Sequence, residues 1–201
     1  MSECFIDEKN ETGQNEMEFA YHAGIYLSKQ STQRLKKVLA KIGINEHAFV
    51  KNPHLTIYYA KTNLSFVRPF EKSCDIQIPA EFLRFMVMAP GGENAREEIT
   101  PRFHKIGLRI QRQAGAMEDI YQLRQEMIDQ EGEMLKVRPP STMRRSAFGA
   151  PNFQPHMTIL NPNNSIQDQL KPYGDALRES LGMLYFDHYC LRKNAIQELG
   201  I

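Results

Sequence analysis

A five-residue pattern that occurs twice constrains this chain more than any other feature of its sequence. Residues 53–57 and 155–159 both read proline, histidine, apolar, threonine, apolar. Successive side chains of a β-strand point to opposite faces, so the histidine and threonine of each copy share one face and the apolar residues share the other. Two such strands brought together would place two imidazoles and two hydroxyls around one pocket: His54, Thr56, His156 and Thr158.

The apolar pattern predicts the same order of elements before each copy of the motif. A strand and then an amphipathic helix precede each histidine strand, and a further strand follows it. The predicted strands cover 21–27, 53–60, 76–88 with an interruption near Pro79, 103–111, the second motif and 183–192. Of the predicted helices, the first has Ser31 as its N-cap, the second begins at Ala116 and the third begins near Pro172. The sequence therefore predicts an α+β fold with a duplicated strand–helix–strand unit whose two copies meet at the histidine strands.

Two stretches fall outside this repeated order. Residues 1–18 are acidic with little apolar content, which is typical of a poorly ordered tail, so we expect a single domain over residues 19–201. Residues 131–152 are predicted to form a long loop that leads into the second motif. Loops of this length are often functional or mobile.

Composition limits the ligands and the cellular compartment. The 25 basic and 24 acidic residues nearly cancel, so no global field would gather a long nucleic acid, and any nucleotide ligand should be short. The three cysteines, Cys4, Cys74 and Cys190, are an odd number without metal-ligand spacing. With neither a membrane span nor a secretory signal in the sequence, we expect a cytoplasmic protein without a membrane partner.

The motif residues suit the hydrolysis of a phosphodiester. This reaction needs a base that takes a proton from water or a ribose hydroxyl, and an acid that protonates the departing oxygen. Imidazole suits both roles because its pKa lies near neutral pH, and threonine hydroxyls can donate hydrogen bonds to the phosphate oxygens. A single histidine on a strand is more often a packed residue, but a duplicated match in matched context favours catalysis. The pattern leaves open which histidine is the acid, and two distant histidines make a thin ligand set, so neither a metal nor another cofactor is expected.

Other side chains are weaker candidates for contact with substrate. Tyr58 is predicted two residues further along the face of His54 and Thr56, where it either stacks on a base or covers the sheet edge. Lys105 and Arg109 share one face of their predicted strand, and Arg144 and Arg145 lie in the long loop; each pair either meets phosphate or is simply solvated. The remaining histidines are interpreted as structural or surface residues: His22, His47, His104 and His188. Of these, His22 is on the polar face of its strand and could approach the cleft.

The paired motifs, with a proline before each histidine, resemble those of the two-histidine (2H) phosphoesterase superfamily, and the resemblance covers nearly all of residues 20–192. Members of that family carry two His-x-Thr or His-x-Ser motifs in two pseudo-symmetric lobes. They cleave 2′,3′-cyclic phosphates, 2′-5′ linkages or signalling cyclic nucleotides without a metal.

The resemblance implies two lobes, each a small and mainly antiparallel sheet with a flanking helix, with the active-site cleft between them. It also implies that His54, Thr56, His156 and Thr158 are the catalytic residues. The acidic tail and residues 131–152 depart from the family pattern, so the resemblance does not fix the substrate. The alternative function is a nucleotide-binding module that uses the same cleft as a sensor without turnover.

Overall fold

The computed structural model describes residues 19–61, 69–88, 104–137 and 153–195, which form seven strands and three α-helices. Two short 3₁₀ helices cover Glu46–Ala48 and Ala80–Phe82. In chain order the main elements are β1 Phe19–Leu27, α1 Lys29–Lys41, β2 His54–Lys61, β3 Phe70–Pro79, β4 Leu83–Met88, β5 Lys105–Ile110, α2 Met117–Val137, β6 His156–Leu160, α3 Lys171–Leu181 and β7 Met183–Ala195.

The described strands form one antiparallel sheet in the order β3-β7-β1-β2-β6-β5-β4. The two histidine strands, β2 and β6, are therefore neighbours at its centre. Their ladder has one register pair, Leu55 with Met157, whereas β1 and β7 pair along their whole length. The predicted α+β class is confirmed, and the outer strands of the sheet pair more extensively than its centre.

The helices pack against the face of the sheet that carries the alternate apolar residues. In β1 these residues are Tyr21, Ala23, Ile25 and Leu27, all buried. They share one core cluster with the apolar stripes of the helices, including Leu35 and Leu39 of α1, Ile120 of α2 and Leu177 of α3. Burial of this stripe supplies most of the stability of such helices. The residues between the core positions, including both His-Thr pairs, therefore lie on the other face.

The N-cap of α1 lies three residues before the predicted one. Ser28, not Ser31, is the N-cap, and its Oγ accepts a hydrogen bond from the Ser31 N–H at 3.1 Å. Ser31 is buried inside the helix, where its Oγ accepts a hydrogen bond from the Tyr185 N–H at 2.8 Å. The second serine therefore joins α1 to β7 instead of beginning the helix.

The strand predicted over 76–88 is interrupted near Pro79 as expected, but the two parts belong to separate strands at opposite edges of the sheet. β3 pairs with β7 and β4 pairs with β5, and the 3₁₀ turn after Pro79 joins them. A flat sheet of seven strands would hold its edges about 29 Å apart. The short link from Pro79 to Leu83 can span at most about 14 Å. The sheet is therefore strongly curved at this end.

The other predicted elements agree with the structure, with one extension. The strands over 21–27, 53–60, 103–111 and 183–192 correspond to β1, β2, β5 and β7, and Pro172 lies at the start of α3. Helix α2 continues to Val137, so the loop predicted over 131–152 is wrong for its first seven residues. The rest of that loop, with Arg144 and Arg145, lies outside the described residues, as does the predicted tail 1–18. No helix in the described ranges is long and apolar enough to cross a membrane.

Candidate active site

The pairing of β2 with β6 brings the two His-Thr pairs onto one face of the sheet. Leu55 lies directly opposite Met157, and both side chains are buried in the core. Because the strands are antiparallel, the next positions on the opposite face place Thr56 beside His156 and His54 beside Thr158. Directly opposite residues have Cβ atoms about 4.5–5.5 Å apart. All four side chains are partly exposed, so a ligand on this face can contact all of them.

The residues before each histidine fix the same tautomer in both motifs. His54 Nδ1 lies 3.0 Å from the carbonyl oxygen of Asn52, and His156 Nδ1 lies 2.9 Å from that of Gln154. A carbonyl can only accept a hydrogen bond, so in both rings Nδ1 carries the hydrogen. The proline between each pair has a fixed φ and no N–H, which restrains this short loop. In the neutral rings Nε2 is therefore the basic nitrogen.

Two aromatic rings from β1 enclose His54. His22 meets it edge to face, with ring centroids 4.9 Å apart, and Tyr26 stacks on it at 4.8 Å. His22 Nε2 also forms a hydrogen bond of 2.9 Å with the Thr56 hydroxyl oxygen. The neighbouring strand thus contacts both functional groups of the first motif.

The enclosure continues into β7. The Tyr26 ring, 6% exposed, stacks on His188 on the other side, with centroids 5.1 Å apart. The Arg192 guanidinium carbon lies 4.8 Å from the centroid of Tyr26, in cation–π geometry. His54 is therefore held by a stack of packed rings beside a cation.

This environment favours the neutral form of both histidines in the first half of the site. Burial lowers the pKa of His22 to about 4, with further lowering from His54 and Arg192. Burial also lowers the pKa of His54; the hydrogen bond to the Asn52 carbonyl opposes this effect, and Arg192 adds to it. A neutral His54 with its lone pair on Nε2 can accept a proton.

The second half of the site, around His156 and Thr158, has different neighbouring groups. The Thr158 hydroxyl donates to the Met88 sulfur at 3.3 Å, a weak acceptor. Arg109 lies directly opposite His156, and Arg84 lies directly opposite Arg109 on the next strand. Arg109 is exposed, and so is Lys105 on the same face of β5. Cationic side chains therefore flank the second motif where aromatic rings flank the first.

The Arg84 guanidinium is anchored to the backbone. It donates to the carbonyl oxygens of Glu81 at 2.6 Å and Leu83 at 2.8 Å. Both acceptors are neutral, and like charges directly opposite in a sheet are unfavourable. An anion near Arg109 would relieve this repulsion.

A β-bulge in β2 moves Tyr58 away from the site. Ala23 lies opposite Tyr58 whereas Gly24 lies opposite Thr56, so Ile57 is the extra residue and the alternation of β2 shifts by one. Tyr58 therefore faces the core, as Ala23 does, and is 4% exposed. The prediction that Tyr58 shares the face of His54 and could stack on a base is wrong for this reason.

A glycine lies directly opposite each motif threonine. Gly24 faces Thr56 and Gly107 faces Thr158. A Cβ atom at Gly24 would lie 3.0 Å from His54 Cδ2 and 3.1 Å from Tyr26 Cε2. At Gly107 it would lie 2.9 Å from Met88 Sδ. In each half, the absence of a side chain lets neighbouring groups close over the threonine.

Sequence reasoning set aside or overlooked four residues of this site: His22, Tyr26, His188 and Arg192. His22 lies two residues before Gly24 and Tyr26 two residues after it, on the face of β1 opposite its core residues. On β7, His188 and Arg192 lie two residues before and after Cys190 in the same way. This period-two pattern was the available signal, but only the strand order shows that β1 and β7 lie beside β2.

No group of three or more His, Cys, Asp or Glu side chains in the described part of the chain is placed to hold a metal ion. Comparison with known proteins gives no family assignment, since a scan against protein-family models and a search of curated proteins both find no match.

Proposed function

We propose that this protein is a metal-independent phosphodiesterase that hydrolyses a small nucleotide substrate by two-histidine acid–base catalysis. The observation that carries the proposal is the pairing of Leu55 with Met157, which sets both His-Thr pairs side by side on one face. The matched hydrogen bonds that leave Nε2 basic in both rings support it further.

The surroundings of the two histidines suggest their roles. His54, held neutral by burial and by Arg192, acts as the base that removes a proton from water or a ribose hydroxyl through Nε2. His156, in its protonated form, then donates the Nε2 proton to the oxygen that leaves phosphorus. The Thr56 and Thr158 hydroxyls donate hydrogen bonds to the non-bridging oxygens, where negative charge increases in the transition state.

The arrangement around β2 and β6 supports two pseudo-symmetric lobes with a cleft between them. β1-α1-β2 lies on one side of the central pairing and β5-α2-β6 on the other, with β7 and β4 as the next strands outward. Gly24 and Gly107 occupy equivalent positions opposite the two threonines. The single register pair at the centre suits a boundary between two lobes.

The charges suggest a short substrate. Arg109 and Lys105 beside the second motif, with Arg192 beside the first, suffice for a few phosphates, and the chain has a formal net charge of only +1. A long RNA would require a basic stripe along the surface. We therefore propose a 2′,3′-cyclic phosphate, a 2′-5′ linked oligonucleotide or a cyclic signalling nucleotide. Cys74 and Cys190 are both free thiols, in keeping with a cytoplasmic location.

A substrate screen with three variants tests the proposal. The purified protein is incubated with 2′,3′-cyclic mononucleotides, 2′-5′ and 3′-5′ oligoadenylates, and cyclic di- and trinucleotides, and the products are separated by chromatography. His54→Ala and His156→Ala should each lower kcat by about 10²–10⁴-fold, the usual contribution of one acid–base group. His47→Ala, at an exposed histidine outside both motifs, is the matched control and should keep wild-type turnover.

Near wild-type turnover in either site variant would refute the two-histidine mechanism. Binding without turnover of any of these ligands by the wild type would favour the sensing module instead.

A further inference from the structure

We propose that His22 is a positioning residue of this site: it donates a hydrogen bond from Nε2 to the Thr56 hydroxyl oxygen and so directs the hydroxyl hydrogen toward the substrate phosphate. The inference rests on the proposed phosphodiesterase function and adds a third histidine to its machinery. His22 acts through Thr56 and contacts no reacting atom itself.

The direction of this hydrogen bond decides what Thr56 can do. A neutral imidazole has one donor nitrogen and one acceptor nitrogen, whereas a hydroxyl has one hydrogen and two lone pairs. If Thr56 donated to His22, its single hydrogen would be consumed within the protein. If His22 donates over the observed 2.9 Å, the Thr56 hydrogen remains for a phosphate oxygen. Only the second arrangement makes Thr56 a stabiliser of developing negative charge.

The packing around Gly24 holds His22 in place. A Cβ atom at Gly24 would lie 3.3 Å from His22 Cε1, so the ring closes directly over this glycine. The edge of the same ring meets His54, and Tyr26 closes the far side of His54. The ring that orients Thr56 therefore also limits the movement of the neighbouring imidazole.

The charges around His22 keep it neutral at the pH of the reaction. Among the described side chains, the titratable or charged groups on this face are Tyr26 from its own strand, His54 from β2, His188, Cys190 and Arg192 from β7, and Glu71 from β3 beside His188. His54, when protonated, and Arg192 both oppose a positive charge on His22, and burial opposes it most. A neutral ring retains the distinction between donor and acceptor nitrogens that the proposal requires.

Among the described residues, no histidine is hydrogen-bonded to Thr158 as His22 is to Thr56. The Thr158 hydroxyl instead donates to the weakly accepting Met88 sulfur, which a phosphate oxygen can replace. Lys105 lies two residues before Gly107, the glycine opposite Thr158. The equivalent position in β1, two residues before Gly24, is His22. We therefore expect loss of the His22 donor to affect Thr56 and not Thr158.

Two variants of His22 and a double-mutant cycle with Thr56 test this role. His22→Phe removes the donor, and we expect kcat to fall by about 10–100-fold with little change in KM, because the hydrogen bond to charge forms mainly in the transition state. His22→Gln keeps an N–H donor at a similar distance from the backbone and should recover much of the loss. In a Thr56→Val background, His22→Phe should cost less than about 3-fold, since its partner is already absent.

The tautomer of His22 provides a test that does not depend on turnover. Imidazole ¹⁵N shifts of the wild-type protein at neutral pH should show His22 with the hydrogen on Nε2. Hydrogen on Nδ1 would overturn the proposal, as would a full additional loss from His22→Phe in the Thr56→Val background. If no substrate in the screen is turned over, the phosphodiesterase proposal fails while the ¹⁵N measurement still decides the direction of the hydrogen bond.

Discussion

The buried His22 makes a measurable contribution to the pH dependence of stability. In the folded protein its pKa is about 4, because burial and the neighbouring Arg192 disfavour the imidazolium. In the unfolded chain a histidine titrates near its ordinary value of about 6.5. Between these two values the unfolded state binds a proton that the folded state does not bind. The free energy of unfolding therefore falls as the pH falls from about 6.5 toward 4.

The size of this effect follows from the two pKa values. At about pH 7.5 both states hold His22 neutral, so the residue contributes almost no pH dependence. At about pH 5 the unfolded chain is largely protonated at this residue and the folded protein is not, which costs about 2 kcal/mol of stability. Burial lowers the pKa of His54 as well, so the wild type should lose somewhat more than this in total.

Urea unfolding of wild type and His22→Gln at about pH 7.5 and pH 5 isolates the contribution. The comparison is the drop in free energy of unfolding between the two pH values, so any pH-independent cost of the substitution cancels. We expect this drop to be about 2 kcal/mol smaller in His22→Gln. His47→Gln, at an exposed histidine, should show the wild-type drop. An equal drop in His22→Gln and wild type would show that His22 titrates normally and would refute the reasoning.

Three further predictions concern the packing of the site, its chemistry and its ligand. Gly24→Ala should lower the free energy of unfolding by about 1–3 kcal/mol, because its methyl group meets two packed rings. Gly115→Ala, with nothing within 4 Å of the new methyl group, should be nearly neutral in the same urea titration. Equal stabilities of the two variants would mean that the rings move aside without cost. Activity should survive excess chelator and show a bell-shaped pH profile, and loss in chelator with recovery on adding a divalent ion would contradict this. Arg109→Gln should raise KM more than it lowers kcat. The wild-type kcat/KM should depend only weakly on salt and should stop rising beyond a few nucleotides of substrate length. A steep fall of kcat/KM in moderate salt would instead indicate a long RNA.

Local sequence patterns predicted most of the elements and the four motif residues, because strand alternation and helical periodicity are properties of neighbouring residues. The tautomer of His54 is also local, since its hydrogen-bond partner is the carbonyl two residues earlier. The same proline-containing spacing produced the same contact at His156. Each motif and the residue before it thus fix the tautomer of the imidazole without help from the rest of the fold.

The surroundings of the motifs could not be predicted in this way. His22 and Arg192 contact the site only because β1 lies between β2 and β7, and strand order depends on pairing between residues far apart in the chain. The position of the strand after Pro79 in the sheet is another example. Apolar periodicity predicts a strand on each side of the turn, but it does not show that those strands lie at opposite edges of a curved sheet.

The bulge at Ile57 shows how one extra residue changes the composition of the site. With strict alternation, Tyr58 would follow His54 and Thr56 on the open face. The bulge instead places Tyr58 opposite Ala23 in the core, where its burial contributes to stability. Nearby, the position beside Thr56 is occupied by His22 from the next strand. A polar hydrogen-bonding ring thus lies against the threonine where alternation within β2 alone would have predicted a stacking surface.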